Sequence, residues 1–512
     1  MTFLRRLHIR RRPFLSPLLF LVVGIALATY LRTPTVVLVA LTAGVLLLPA
    51  SFLFGRIIGP RGIYLLRRGW IASLLIGTGA LSTQLSLERM TASAPENLPM
   101  GTSFYVESNP EWRGDKLRML VRPVTGDTSP SYLLYIRGHE RKEAIRRGQV
   151  LGINRMYTRS IAQWEEQAPT MGRYLAGKGM SGSLHTSWQA ITVQPATNVP
   201  HFSLRQAAMD VSDKLAATLQ TLSPALSDSQ RSMLETMCLG RYGDDPALRK
   251  AFTAAGVAHI LAVSGFHVVI ILSAIGLLFR ALPIPQRWKR AEWLLLLIGG
   301  WSYAFVCGLG APVIRSMVMV TLYIIGKLLG RPADGLNIWA AAAFMTLVTN
   351  PFAYYDLGFL LSYAAVASIL IFFHPIIGLV PNVRQPVLRL CRDSIGVCLA
   401  AQAFTLPLVA HFFGRIGLVF LWVNLPLTLI VSILIPATLL YMIVAALGWS
   451  VGILGSLVTL CAQWTEELVT AAAYVAPSFE RTWQPSLPVT AAIIVGMVMA
   501  GILWRASLRR YE

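Results

Sequence analysis

Two histidines and a serine lie inside an apolar stretch of membrane length, and their types and spacing could support chemistry. The stretch runs from Phe252 to Leu278 and contains His259, Ser264 and His267. A polar side chain in hydrocarbon costs free energy unless it faces protein or a water-filled cavity, so such a cluster marks a candidate functional site. On a continuous α-helix, the eight-residue separation of the histidines is a rotation of about 80°, so both could face one cavity.

Four interpretations of this cluster are open. A metal site would need further ligands in a fixed geometry, and the other His, Asp and Glu residues are scattered along the chain. A nucleophilic Ser264 would need histidine within hydrogen-bond reach and an orienting acid, for which Asp356 is the candidate. The histidines could instead be satisfied by carbonyl groups in a helix interface. The fourth interpretation, a polar patch that lines a pore, is the one we favour.

Two charged residues lie near the ends of later apolar runs. Arg315 could bind an anion, or it could extend its charge toward the membrane surface. Asp356 follows the helix-breaking pair Asn350-Pro351 and could cap the next helix. Both residues therefore have a functional and a purely structural interpretation.

The composition is that of an integral membrane protein. The 512 residues are 55% hydrophobic and 13% charged, with a mean hydropathy of +0.58, which excludes an ordinary soluble or disordered chain. The net charge of +21 does not require nucleic acid, because cytoplasmic loops of membrane proteins are rich in Lys and Arg. The five cysteines are odd in number and give neither a disulfide framework nor a zinc-ligand spacing. We therefore expect no metal and no cofactor.

Twelve apolar runs are close to the roughly 20 residues that cross a bilayer. They predict a polytopic α-helical membrane protein with about 12 spans, at 14–31, 34–54, 70–87, 256–279, 293–310, 313–329, 336–349, 357–373, 395–413, 417–448, 451–475 and 488–504. Clusters of Arg and Lys predict that the N- and C-termini are both cytoplasmic and that residues after Leu87 are outside. Termini on the same side require an even number of crossings.

The run 417–448 is too long for one straight span and contains Pro426 and Pro436. It could be a broken helix that crosses once, which we slightly prefer, or it could cross twice. In the second case 451–475 lies on the outer surface, and the number of crossings stays even. A broken helix is tolerated at membrane depth only where it lines a cavity or is buried in protein.

Residues from about 88 to 230 are polar and contain no run of membrane length. The alternating stretches KLRMLVRPV (116–124) and SYLLYIRG (131–138) predict short β-strands, bounded by turn signals such as Asn109-Pro110. We therefore predict a small extracytoplasmic all-β domain after the third span, with the OB-fold as one candidate. Helical periodicity over 203–240 predicts surface helices that lead back into the membrane.

Basic and aromatic residues are interleaved in the predicted β domain. Between residues 101 and 180, thirteen Lys and Arg residues stand against eight acids. OB-folds hold single strands by stacking bases on aromatic rings beside a basic groove, although core aromatics with a solvated charged face explain the pattern equally well. The candidate DNA contacts are Trp112, Lys116, Arg118, Tyr135, Arg137, Arg155 and Tyr157.

Five sequence blocks occur in an order that is typical of one known family. They are MGRYLAGKGMSGSL (171–184), ALRKAFTAAGVAHILAVSGFHV (247–268), GAPVIRSMVMV (310–320), LLGRPADGLNIWAAAA (328–343) and NPFAYYDLGFLLSYAAVA (350–367). In these blocks the chain resembles the ComEC family of competence proteins, the inner-membrane DNA channels of natural transformation. The resemblance covers roughly residues 15–505, and the block at 247–268 is the most specific.

The resemblance implies a channel, not an enzyme, that passes single-stranded DNA from the outer compartment across the cell inner (cytoplasmic) membrane. It also implies a DNA receptor and separate motor or nuclease proteins as partners, and homo-oligomers are possible. Carried over by position, the blocks place Phe359 and Leu361 among the family residues. The predicted DNA path or gate consists of His259, Ser264, Gly265, His267, Arg315, Asp356 and Ser362.

The chain is then expected to divide into four segments. These are three N-terminal transmembrane helices (1–87), an OB-fold-like extracytoplasmic domain (88–202), amphipathic connecting helices (203–250) and a competence-type transmembrane channel domain (251–512).

One departure from the family pattern concerns the C-terminus. Many family members continue into a metallo-β-lactamase-like domain, and the residues up to Glu512 contain nothing of that kind. We therefore expect a short form without intrinsic nuclease activity, so that degradation of the second strand needs another protein. The sequence also has no Gly-Lys loop of the P-loop type, so we expect a separate motor.

Two other functions remain open. The same cavity could serve a permease for a smaller anionic or lipid-linked solute, in which case the outer domain would not bind single-stranded DNA. An intramembrane hydrolase would use Ser264 as its nucleophile and would react with serine-directed probes.

Overall fold

The computed structural model describes residues 13–31, 35–53, 55–92, 101–113, 115–124, 131–138, 145–194, 204–222, 225–241, 245–281, 289–331, 333–381, 384–449 and 452–508. The chain forms two compact units. Unit 1 comprises Met1–His201 and Asp334–Leu360, and unit 2 comprises Phe202–Ala333 and Leu361–Glu512.

Most of the described residues are helical. The helices are α1 (Leu15–Leu31), α2 (Thr35–Leu53), α3 (Gly55–Ala92), α4 (Ile161–Gln167), α5 (Pro169–Gly177), α6 (Leu204–Thr218), α7 (Asp228–Leu239), α8 (Pro246–Ala254), α9 (Ala258–Leu261), α10 (Gly265–Ala281), α11 (Lys289–Val306), α12 (Ala311–Leu328), α13 (Gly335–Thr349), α14 (Leu357–Gly378), α15 (Pro386–Phe413), α16 (Phe420–Ala446), α17 (Gly452–Phe479) and α18 (Leu487–Leu508).

The strands fall into two sheets. They are β1 (Ser103–Val106), β2 (Glu111–Arg113), β3 (Lys116–Pro123), β4 (Ser131–Arg137), β5 (Val150–Ile153), β6 (Tyr157–Ser160), β7 (Met180–Ser187), β8 (Ile191–Gln194), β9 (Arg415–Gly417) and β10 (Glu480–Thr482). The first eight form one sheet in the order β6-β7-β4-β3-β1-β5-β8, with β2 paired to β3, and β9 pairs with β10.

Several helices have the length and composition of membrane spans. Five of them are long and apolar enough to cross a bilayer, at Leu66–Glu88, Ala311–Leu328, Leu357–Gly378, Leu388–Phe413 and Phe420–Ala446. Six shorter apolar segments lie at Leu15–Leu31, Val37–Leu47, Gly265–Ala281, Ala291–Val306, Gly335–Thr349 and Leu487–Gly501. The chain is therefore a largely helical membrane protein, as the composition predicted.

The β domain, residues 101–194, forms because its strands alternate between apolar and polar residues. In β3 the side chains of Leu117, Met119 and Val121 are buried while those between them are half-buried, which is the period-2 pattern of a strand with one core face. These side chains join Phe104 and Leu134 in a common core. The predicted strands at 116–124 and 131–138 are confirmed by β3 and β4.

Helices α1 and α3 approach closely because glycine residues occupy the contact. A Cβ added at Gly24 would lie 2.1 Å from the carbonyl oxygen of Ile76, and one added at Gly79 would lie 2.5 Å from that of Leu21. Small residues permit such backbone contacts between membrane helices, where tight packing supplies much of the association energy.

The connection between α13 and α14 is attached to the β domain within unit 1. It forms a 3₁₀ turn at Pro351–Tyr355. The amide of Asn350 donates to the carbonyl oxygen of Gly177 at 2.6 Å, and Arg173 donates to the hydroxyl of Tyr355. These contacts bring together two of the sequence blocks that carry the family resemblance.

Two expectations for unit 2 need correction. The run 417–448 contains one continuous helix, α16, with Pro426 and Pro436 inside it, so it is neither broken nor able to cross twice. Helix α7 is not a surface helix, because residues such as Met233, Met237 and Leu239 are buried in the main core of unit 2. Its own periodicity did not reveal that both of its sides are covered.

The α1–α3 contact makes a stability prediction. Replacing Gly24 by Ala forces a Cβ against a backbone oxygen that cannot move independently, and such overpacking costs about 1–3 kcal/mol. The matched control is Gly496→Ala on α18, because nothing lies within 4 Å of a Cβ at that position. There the change should be neutral or stabilising by about 0.5–1 kcal/mol. We expect a lower midpoint of thermal unfolding in detergent for Gly24→Ala than for Gly496→Ala, and equal midpoints would contradict the packing described.

Candidate functional site

The segment with the two histidines is two helices separated by an extended link. Helix α9 ends at Leu261, Ala262 is extended with φ −82° and ψ 139°, and α10 begins at Gly265. The prediction that one helix presents both histidines is therefore wrong. Serine competes with the helical backbone for hydrogen bonds and glycine has high conformational freedom, so the Ser264-Gly265 pair favours a break even within an apolar run.

The start of α10 is capped by its own side chains. The backbone N–H of Ser264 donates to Nδ1 of His267 at 3.2 Å, and Oγ of Ser264 lies 2.9 Å from the same nitrogen. Since a backbone N–H can only donate, Nδ1 accepts, and the neutral imidazole carries its hydrogen on Nε2. The pair therefore resembles a capping box, in which a side chain near the helix start satisfies the backbone before it.

The same contact gives limited support for a nucleophilic serine. His267 is fully buried, and its Nε2 has no hydrogen-bond partner among the described residues. No acid therefore orients the ring in the way that a Ser-His-acid triad requires. Asp356, the acid proposed for that role, forms an ion pair with Lys178 at 2.7 Å.

His259 lies on α9 and is exposed. The side chain of Asn424, on α16, lies beside it, and Oδ1 of Asn424 is buried without a hydrogen bond in the part of the chain that the structure describes. The amide of Asn424 donates to Sγ of Cys398 at 3.2 Å.

Gly265 is required by a close contact between α10 and α12. A Cβ at this position would lie 2.6 Å from Oγ of Ser316, and that hydroxyl donates to the carbonyl oxygen of Pro312 at 3.0 Å. Arg315, the neighbour of Ser316, is 7% exposed, so it does not extend to the membrane surface as a freely solvated charge. The signature segment and the block at 310–320 are thus adjacent in unit 2.

The backbone that leads into α12 has an unusual conformation. Leu309 has φ +53°, and among the described residues it is the non-glycine residue with positive φ. Non-glycine residues in the left-handed region cost free energy and persist where their surroundings determine them. Gly308 precedes it with φ +68°, so two consecutive residues turn the chain between α11 and α12.

The remaining predicted path residues have different surroundings. Asp356 belongs to unit 1, where Oδ1 accepts from the backbone N–H of Gly358 at 3.1 Å, so it caps the start of α14 as the sequence suggested. Ser362 is half-buried on the part of α14 that belongs to unit 2. The structure therefore brings His259, Ser264, Gly265 and His267 together, with Arg315 close by in the next block.

The outer-domain candidates separate into two groups. The ring of Trp112 lies 6.5 Å from that of Trp188, centroid to centroid, and packs against the β-domain core. Arg137 forms an ion pair with Asp115 at 3.8 Å. Tyr157 is 59% exposed. The other four are half-buried or exposed at the domain surface: Lys116, Arg118, Tyr135 and Arg155.

Sequence reasoning missed several residues near these positions. Asn424 was hidden inside a long apolar run, and its polar side chain there was the available signal. His185 lies on β7 with its ring stacked on that of Tyr135, 5.0 Å between centroids. The available signal was its position directly after the apolar Leu184, because successive residues of a strand point to opposite faces. No group of three His, Cys, Asp or Glu residues in the described ranges is arranged to hold a metal ion.

Comparison with known proteins identifies relatives of this chain. It is 32% identical over 200 residues to the uncharacterized protein YcaI of Escherichia coli, which is 38% of this chain and 26% of that protein. It is 26% identical over 188 residues to ComE operon protein 3 of Bacillus subtilis, which is 36% of this chain and 22% of that protein. It is 28% identical over 199 residues to competence protein ComA of Neisseria gonorrhoeae, which is 37% of this chain and 28% of that protein.

The matched segments thus span about a quarter of the length of these relatives. No solved structure has significant similarity to the chain. The family described as "Competence protein" matches residues 240–508, more than half of the sequence. This range contains α9, the extended link, α10 and α12. The chain therefore belongs to the ComEC family of competence proteins.

Proposed function

We propose that this protein conducts single-stranded DNA across the cytoplasmic membrane during natural transformation. The observation that carries the proposal is the interrupted segment α9–α10, where the exposed His259 lies beside a break in the helical backbone. Non-helical backbone in a membrane is tolerated where it lines a water-filled cavity or is buried in protein. A polar break beside an accessible histidine favours the cavity, and a hydrated path is what a polyanion needs.

The chemistry at the break suits transient contact with a strand rather than bond cleavage. Nε2–H of His267 is a buried donor, and Arg315 supplies a buried cation in the adjacent block. A channel must attract its substrate and then release it, so a few donors spread along the path are better than one tight site. Nδ1 of His267 already accepts from the backbone N–H of Ser264 at the start of α10, which supports conduction over hydrolysis.

The β domain is proposed to be an extracytoplasmic OB-fold-like module. Strand pairing supports a curved, barrel-like sheet. In the order β6-β7-β4-β3-β1-β5-β8, three residues in sequence connect the end strand β6 to β5, the strand next to the opposite end, so the two ends of the sheet are held near each other. OB-folds are partly open barrels that bind single strands on one face. In this proposal both termini are cytoplasmic and the chain crosses the membrane about twelve times, with α17 as one of the crossings.

Other proteins are proposed to complete the pathway. A receptor would deliver DNA, and separate motor or nuclease proteins would supply directionality and remove the second strand. The relative named competence protein ComA and the relative named ComE operon protein 3 are consistent with such a setting.

The proposed path predicts the behaviour of histidine variants. In a transformable host, His259→Ala and His267→Ala should each reduce internalised labelled DNA by about tenfold or more, which corresponds to about 1.4 kcal/mol in the rate-limiting barrier. His374→Ala is the control, because His374 is exposed on α14. Protein levels in the membrane are measured by immunoblot. Undiminished uptake by both variants at normal levels would exclude this segment as the path.

The contact between α10 and α12 predicts a compensating pair. Gly265→Ala should reduce uptake and thermal stability because its Cβ meets Oγ of Ser316 at 2.6 Å, whereas Cβ of Ser316 is 3.6 Å away. Adding Ser316→Ala removes the clashing oxygen and should restore most of both properties. Ser316→Ala alone measures the loss of the hydroxyl. A double variant as impaired as Gly265→Ala would show that Gly265 serves something other than this contact.

A further inference from the structure

Three rings stand side by side on three adjacent strands of the β domain. Tyr157 on β6 and Tyr135 on β4 both lie in register with His185 on β7. The rings of Tyr135 and His185 are stacked, with 5.0 Å between centroids and 10° between planes, and the ring of Tyr157 lies 6.4 Å from that of His185. Since Leu134 and Leu184 point into the core, the alternation of the strands places this aromatic row on the opposite face of the sheet, where Tyr135 packs against a second apolar cluster that includes Leu133.

A chain of hydrogen bonds fixes the middle ring of the aromatic row. Nε1–H of Trp164 donates to Oγ of Ser183 at 3.0 Å, and Oγ of Ser183 lies 3.1 Å from Nε2 of His185. Burial, together with the positive charges of Arg159 and Lys116, lowers the pKa of His185 below its usual value. The imidazole is therefore neutral at neutral pH and acts as a flat aromatic support with a defined orientation.

Tyr157 is the exposed end of the aromatic row. Its side chain is 59% exposed, whereas Tyr135 and His185 are half-buried. The guanidinium of Arg159 lies 6.0 Å from the centre of the Tyr157 ring, so a planar group that stacks on the exposed face of this ring would also meet a positive charge. Stacking on such a face needs no sequence-specific hydrogen bonds, because every nucleobase has a π-face.

Several cations lie near the aromatic row. Arg118 lies opposite Tyr135 in register, and the carbonyl of Arg155 accepts from Thr186, the residue after His185. Some other cations of the domain form ion pairs, as Arg122 does with Glu107 at 2.7 Å. Within the described part of the β domain, four cations near the row have no ion pair with a carboxylate: Lys116, Arg118, Arg155 and Arg159.

We propose that Tyr157 is a stacking site for an unpaired base, with His185 and Tyr135 as positioning residues and the four unpaired cations as contacts for the flanking phosphates. The inference rests on the proposed function, since it identifies where the β domain would hold the strand. It commits to single-stranded nucleic acid because the site combines an exposed aromatic ring with positive charge. Duplex DNA would engage the cations without offering an unstacked base.

The test uses the full-length protein in nanodiscs and a fluorescent oligothymidylate, with binding followed by anisotropy. Tyr157→Ala should weaken binding by about tenfold, within the range found when one stacking ring is removed. Tyr157→Phe should bind like the unaltered protein. Tyr105→Ala is the matched control, because Tyr105 is a half-buried tyrosine on the outer face of β1 in the same domain.

Variants of His185 separate a positioning role from a charged contact. His185→Phe keeps a neutral flat ring and should retain binding, whereas His185→Ala removes the support behind Tyr157 and should weaken it. Thermal unfolding shows whether each variant is folded. Normal binding by Tyr157→Ala, or equal loss of single-stranded and duplex binding, would overturn the stacking site.

The cations predict a change in salt dependence. For single strands the logarithm of the binding constant falls with the logarithm of salt concentration by about 0.7 per phosphate contact. Lys116→Gln combined with Arg118→Gln should reduce that slope by about 1.4, while Tyr157→Ala should lower affinity with little change in slope. An unchanged slope in the double variant would remove these cations from the site.

Uptake measurements distinguish failure of this site from failure of the proposed function. If Tyr157→Ala binds normally while His259→Ala blocks DNA uptake, the channel function stands and the stacking site is wrong. If Tyr157→Ala abolishes binding while deletion of the whole protein leaves uptake intact, the site is right and the proposed channel function is wrong.

Discussion

The need to satisfy a broken backbone inside an apolar segment determines much of unit 2. Where α9 stops and α10 starts, carbonyl groups of one helix and N–H groups of the next lose their intrahelical partners. His267 satisfies the N–H of Ser264, and the other groups require water or protein in a place where lipid offers neither. The hydrated path proposed at His259 would meet that need. Glycine at 265 follows from the same constraint, because the break lies directly against Ser316.

The order of apolar and polar residues correctly predicted those strands and helices whose surroundings do not change along their length. The alternation in 116–124 corresponds to β3, and the apolar runs correspond to helices. The continuous helix through His259 and His267 was wrong because hydropathy averaged over a span does not register a three-residue break. For 417–448 the error was opposite: Pro426 and Pro436 suggested a break, yet α16 continues through both. Neighbouring helices can satisfy the carbonyl that each proline leaves free.

Contacts between distant segments could not be read from the sequence. His185 belongs to the proposed stacking site only because β7 lies between β6 and β4, and Asn424 lies near His259 only because α16 lies beside α9. The same holds in unit 1, where Lys178 meets Asp356. Each of these residues is recognisable in the sequence as an individual polar residue. Which of them come into contact depends on strand register and helix packing, and these depend on the whole fold.

The positive charges of the β domain can be interpreted more specifically from the structure than from the sequence. The excess of five cations over residues 101–180 fits either a solvated surface or a binding groove. The ion pairs separate these cations into two groups. Arg122 and Arg173 are neutralised by carboxylates, whereas Lys116 and Arg159 lie near the ring of His185. Exposed cations are screened by salt and stacking is modest for each base. In the proposed function, contacts of this strength would hold a strand briefly and then release it, as delivery of a polymer to a channel requires.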